Sequence, residues 1–100
     1  MLRYHGLTYC AGTNILVLLE REYVRLHVYD ALTLTYLSSI LVPDTTDEHI
    51  NSIHLRCSPD GSLIYVAYGD AHPEDYFVIA AYKVSTGKCI VREDGRWGGV

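Results

Sequence analysis

The residues able to do chemistry in this chain are few and scattered. Ser58 and Asp60 stand two apart in a Ser-Pro-Asp-Gly sequence, a hydroxyl beside a carboxylate. A nucleophile needs a base in reach and an oxyanion hole, and the chain holds no Gly-x-Ser-x-Gly. Ser58 therefore reads as a turn former. His54 and Cys57 are three apart, which on a strand sends them to opposite faces and prevents a shared metal. Asp44, Asp47, Glu48 and His49 gather ligands of the kind a hard cation takes. Their spacing matches no calcium loop, and they read as a solvated connector. Cys10, Cys57 and Cys89 are odd in number, far apart and without a Cys-x-x-Cys pair, which excludes a zinc ribbon or a thioredoxin motif. They read as free, buried, hydrophobe-like thiols in a reducing compartment. No metal and no cofactor is expected from these groups.

Positioning such residues requires a fold, and composition narrows it. One hundred residues make a single domain at most. With 49% hydrophobic and 20% charged residues, the chain sits near the globular average, which excludes wholesale disorder. A net charge of -4 leaves no basic footprint for nucleic acid. The longest apolar run, Ile15 to Leu19, is far short of the ~18 residues that span a bilayer. Met1-Leu2-Arg3-Tyr4-His5 opens no signal peptide. Cytoplasm or nucleus is the expected location, with neither nucleic acid nor membrane as a partner. Tyrosine supplies 9 of the aromatic residues against one Phe and one Trp, and its strand propensity tilts the class towards β.

Apolar segments recur at short spacing between turn signals. Gly6 to Cys10, Ile15 to Leu19, Tyr23 to Tyr29 and Tyr36 to Val42 read as four strands, with turns at Ala11-Gly12-Thr13-Asn14 and Asp30 to Thr33. Pro43 to Glu48 connects them to a second set: Ile50 to Cys57, Leu63 to Tyr68, Tyr76 to Tyr82 and Lys88 to Arg92. Ser58-Pro59-Asp60-Gly61 and Ser85-Thr86-Gly87 supply its turns, and Gly69 to Asp75 forms a polar loop. A helix is the rival over Ile15 to Tyr29, where Ile15, Leu18, Leu19, Tyr23 and Leu26 make a stripe behind an Asn14 cap. Alternation of Val24, Leu26 and Val28 against Arg25 and His27 favours strands. Arg25 and His27 mark a solvated outer side, whereas Tyr76 to Tyr82 is apolar on both faces.

The two sets are copies. Leu7-Thr8-Tyr9-Cys10 matches His54-Leu55-Arg56-Cys57, each ending on Cys before a turn. Asn14-Ile15-Leu16-Val17-Leu18 matches Ser62-Leu63-Ile64-Tyr65-Val66, 48 positions on. Val28-Tyr29-Asp30-Ala31-Leu32-Thr33 matches Ala81-Tyr82-Lys83-Val84-Ser85-Thr86, 53 positions on. One insertion in the Gly69 to Asp75 loop accounts for the difference. A four-strand unit of about fifty residues has the length of a propeller blade. Neighbouring blades cover both faces of a blade, so its middle strands should be apolar without alternation. Ile15 to Leu19, Leu63 to Tyr68 and Tyr76 to Tyr82 read that way.

From Ile53 to Ala67, through Ser58-Pro59-Asp60-Gly61, the sequence resembles a WD-repeat β-propeller. Tyr29 and Tyr82 stand where that family usually has Trp, and Thr86-Gly87 matches its Thr-Gly turn. The family's Gly-His dipeptide is missing, with Glu48-His49 as the nearest remnant. The resemblance implies an all-β fold of two four-stranded antiparallel blades, over about 1–43 and 49–94, in one segment that is an incomplete propeller. Known propellers hold ~4–8 blades. The chain therefore reads as a piece of a longer propeller, with Trp97-Gly98-Gly99-Val100 leading into a further strand, or as a unit completed by identical chains.

What the resemblance implies about function is rigid display of loops: a protein-interaction scaffold without catalysis of its own. Inserted loops on a repeat protein often bind, which nominates Asp70, His72, Glu74 and Asp75. Arg96 and Trp97 are nominated as residue types enriched at interface hot spots. The alternative is part of a propeller enzyme, quinoprotein-like or lactonase-like, to which His54 and Arg56 on an inner strand would contribute. A truncated frame with no function of its own is the third reading.

Overall fold

The computed structural model describes residues 4–20, 24–42, 52–70 and 76–96. Eight strands run through them: β1 (Tyr4–Cys10), β2 (Ile15–Glu20), β3 (Arg25–Asp30), β4 (Tyr36–Leu41), β5 (Ser52–Cys57), β6 (Leu63–Asp70), β7 (Tyr76–Lys83) and β8 (Cys89–Arg96). They form two antiparallel four-stranded sheets, in the orders β1-β2-β3-β4 and β5-β6-β7-β8. The protein is all-β, with its two sheets not closed into a ring. Among the described residues there is no helix, and none long and apolar enough to cross a membrane. The rival helix over Ile15 to Tyr29 gives way to the β2–β3 hairpin because Ile15, Val17 and Leu19 bury on one face with Leu26 and Val28 opposite. A period of two, not 3.6, meets the core.

Several strand ends differ from the sequence reading, two of them beside β7. β6 continues through Gly69 and Asp70, which pair with Phe77 and Tyr76. β8 extends to Arg96 instead of stopping at Arg92. Both extensions run along β7, whose main chain offers hydrogen bonds to any residue regardless of side-chain polarity. Polar side chains there carry no apolar signal.

The repeat is written into the main-chain hydrogen bonds. Thr13 N–H donates to Cys10 O, and Gly61 N–H to Ser58 O. Ala31 N–H donates to Asn14 O, and Val84 N–H to Ser62 O. Asp30 N–H donates to Thr35 O, and Lys83 N–H to Lys88 O. The counterpart of Cys10 is thus Ser58, and the match of Cys10 with Cys57 is one residue out of phase. On a strand one residue is a change of face.

That phase fixes how the sheets stack. Cys10, Ile15, Val17, Leu19, Leu26 and Val28 share one face of the first sheet, here called its front. Their counterparts on the front of the second sheet include Leu63, Tyr65, Ala67, Ile79 and Ala81. The core joins the front of the first sheet to the back of the second, where Leu55, Ile64, Val66, Tyr68, Val78, Ala80 and Tyr82 lie. The stacking is front to back, as in a file of like units. Burying one such aliphatic side chain is worth about 1.5–3 kcal/mol, and Leu19, Leu26, Ile64 and Val17 are among those that lose all contact with water.

The sheets come closest at β1 and β5, where their first hairpin turns clasp. Thr13 Oγ1 donates to Gly61 O at 3.0 Å. A Cβ on Gly12 would collide with the Asp60 main chain. Gly61 has a φ of +75°, and a Cβ there would lie 2.5 Å from Thr13 N. Both positions require glycine.

Cys10 and Cys57 form a disulfide between the sheets, with Cα atoms 5.5 Å apart. This corrects the free-thiol reading. The two sulfurs meet because, one residue out of phase, Cys10 points forward from the first sheet and Cys57 backward from the second. Cys89, expected to be buried, is exposed, because it lies on β8 at the outer end of the second sheet.

Candidate functional site

Of the nominated binding residues, His72, Glu74, Asp75 and Trp97 lie outside the described residues, as do Asp44, Asp47, Glu48 and His49. Asp70 and Arg96 are described as main-chain positions. Asp70 ends β6 and pairs with Tyr76, and Tyr76 pairs on its other side with Arg96. Three neighbouring strands therefore end together. The 71–75 segment leaves from this end of the second sheet, opposite to the turn clasp.

The turn at the clasp end is built from its own side chains. Ser58 Oγ donates to Asp60 Oδ1 at 2.7 Å and accepts from Leu63 N–H at 3.0 Å. The same carboxylate oxygen accepts from Ser62 N–H at 3.0 Å and Ser62 Oγ at 2.8 Å. The Ser62 N–H, then the Ser58 and Ser62 hydroxyls, hold the Asp60 carboxyl down at about 2. Ser58 is committed to the turn. Asp30 works alike in the first sheet, accepting from Leu32 and Thr33 N–H at 2.9 Å. The bonds from Thr33, then Leu32, lower its carboxyl.

The back of the first sheet carries a group that sequence reasoning missed. Glu20, one residue past the strand expected over Ile15 to Leu19, is the last residue of β2 and is 3% exposed. His27 Nε2 donates to its Oε1 at 2.7 Å, and the Tyr36 hydroxyl lies 3.4 Å from Nδ1. The Tyr29 and Tyr36 rings meet edge to face at 5.3 Å. Arg25 and His27 lie on the outward side of the first sheet, and His27 is half-buried there within this group. The hydrogen bond gives the buried carboxylate the partner that burial demands. A signal existed: Glu20 and His27 are seven apart across a short hairpin, so both fall on one sheet face two rungs apart.

His54 and Arg56 are exposed on the front of the second sheet, in register with Ala67 and Tyr65. Arg56 Nη1 donates to Leu55 O at 2.8 Å. Among the described residues no three His, Cys, Asp or Glu side chains gather where a metal ion could bind.

Both outward faces carry exposed apolar side chains beside charged ones. Leu7 and Tyr9 stand on the back of the first sheet, and Tyr65, Ile79 and Val91 on the front of the second, all exposed. β2, β6 and β7 are apolar on both faces, and among the described residues only one face of each sheet is covered by the other. No protein-family profile and no curated protein matches the chain.

Proposed function

We propose that the chain is a protein-interaction scaffold made of two WD-repeat-like propeller blades, without catalysis of its own. The supporting observation is the register at one end of the second sheet. Asp70, Tyr76 and Arg96 are adjacent there, so the acidic loop and the Arg96–Trp97 segment, nominated separately, leave from neighbouring strand ends. A rigid sheet with its loops at one end is how repeat scaffolds present binding residues. The partner is a protein, met by Asp70, His72, Glu74 and Asp75 on one side and Arg96 and Trp97 on the other. Cytoplasm or nucleus, proposed as the location, loses its support from free thiols. A Cys10–Cys57 disulfide is of the kind that persists in oxidising compartments.

The test is photo-crosslinking from position 72, followed by titration of whatever is captured. Replacing 71–75 by Asn-Gly closes the β6–β7 hairpin with a favoured two-residue turn. That variant and Trp97→Ala should each weaken binding at least tenfold while the far-ultraviolet dichroism is unchanged. A partner that binds both variants like the native chain removes this assignment.

A further inference from the structure

We propose that the chain stacks head to tail on copies of itself, the back of one chain's first sheet lying on the front of the next chain's second sheet. The inference goes beyond the partner-binding reading and does not depend on the 70–75 loop.

The argument is continuity with the interface already inside the chain. That interface joins a front to a back. The apolar centre of the outward front of the second sheet repeats that of the buried front of the first: Ile79 occupies the place of Leu26, and Ala81, itself already buried, that of Val28. Arg56 and Lys83 flank it where Thr8 and Asp30 stand in the first sheet. The outward back of the first sheet repeats the buried back of the second: Leu16 and Leu18 stand where Ile64 and Val66 stand. Each free face is therefore the kind of surface that the other kind packs against. Neither matches itself, so a symmetric face-to-face dimer would lay front on front or back on back, a contact not found among the described residues.

Two features make the stacking physically workable. Glu20, the charge most deeply set in the outward back, is already buried and hydrogen-bonded to His27. Covering that face leaves no new unpaired carboxylate. The sheets also approach most closely along β1 and β5, so each step of the stack turns about the inner strands. A head-to-tail contact with a constant turn closes into a ring if the angle allows and otherwise grows into a filament. Closed rings hold ~4–8 such sheets, which corresponds to about two to four chains.

Sedimentation equilibrium of the full chain over a wide concentration range tests this, with Leu7→Glu blocking the back of the first sheet and Ile79→Glu blocking the front of the second. Both positions are exposed in the single chain, and dichroism verifies that each variant folds. Tyr9→Glu and Val91→Glu stand in for either one that does not. The native chain should sediment as two to four chains, and each variant alone as one. An equimolar mixture of the two variants should form a dimer and stop there, because it has one intact front and one intact back. A native chain that stays monomeric at every concentration overturns the proposal and leaves these faces to sheets of a different chain. So does a mixture that stays monomeric. Assembly lost with Leu7→Glu but kept with Ile79→Glu, or the reverse, shows a symmetric contact and overturns it as well. None of these readouts uses the loop, so failure here and failure of the partner-binding reading are distinct results.

Discussion

Leu26 on β3 and Ile79 on β7 hold the same place in the two copies of the repeat, yet Leu26 is 0% exposed and Ile79 is 48% exposed. Strand position and residue type do not explain the difference. The second sheet lies over the first front, whereas among the described residues no strand lies over the second front. The backs differ in the same way but with a chemical trace. Val78, Ala80 and Tyr68 on the covered back are replaced by Arg25, His27 and Glu20 on the outward one. The comparison teaches that burial in a pair of stacked sheets belongs to the interface and not to the strand position.

The strongest way to break this picture is to cut the link that holds the two sheets in phase. The disulfide closes a loop with a sequence separation of 47. In the chain-entropy account a loop of that size is worth about 4 kcal/mol. Reduction, or Cys57→Ser, should lower the urea midpoint by an amount equivalent to about that loss, while the dichroism without urea stays β-rich. Cys89→Ser, at an exposed thiol, should leave the midpoint where it is. Equal midpoints for the oxidised and reduced chains would show that the covalent link does not form, and the out-of-phase cysteines would then be simple core residues.

The same comparison is sharpened by one pair of substitutions. Leu26→Ala removes a fully buried side chain and should cost about 2–5 kcal/mol. Ile79→Ala, at the equivalent site with no sheet over it, should stay within about 0.5 kcal/mol in the dilute monomer. Denaturant unfolding at low concentration measures both. A large loss at Ile79 in the monomer would mean that something in the chain already covers the second front. A loss that grows with protein concentration is the signature of a stacked neighbour.

Much of this architecture was legible in the sequence, for reasons that can be named. Turn residues with fixed backbone demands, such as Asn14 at a φ of 52° and Gly87 at 74°, mark where strands end. Eight apolar segments between them give eight strands, and the shift from 48 to 53 marks the loop between β6 and β7. The phase of Cys10 against Cys57 was not legible, because both end a strand before a turn and only the hydrogen bonds show that Cys57 stops one residue short of its counterpart. Glu20 lies just outside the expected strand for a related reason. A carboxylate at the end of an apolar run looks like a terminator until the cross-strand imidazole of His27 gives it a partner. Of the nominated site, the main-chain adjacency of Asp70 and Arg96 depends on β8 extending past Arg92, and nothing in Glu93-Asp94-Gly95 announces a strand.

The smallest effect distinguishes the two sheets by their turns, and it is read with acid. Asp60 belongs to the turn of the second sheet, and its first-sheet counterpart is Gly12, which has no carboxyl. Folding lowers the Asp60 carboxyl from 3.8 to about 2. A group whose pKa is lowered by folding stabilises the native state above its unfolded value and ceases to do so as pH falls through its folded value. The contribution of Asp60 should therefore be complete above about pH 4 and fade between about pH 4 and about pH 2. Asp60 is solvent-facing and Asp30 titrates in the same direction, so the native chain should lose thermal stability gradually across that window. Asp60→Asn keeps the shape of the turn but removes one titrating group. Its melting temperature should start lower at pH 5 and fall less steeply down to pH 2. Parallel slopes for the native and variant chains would show that Ser58 and Ser62 do not hold a charged Asp60. The clasp against Gly12 and Thr13 would then depend on glycine geometry alone.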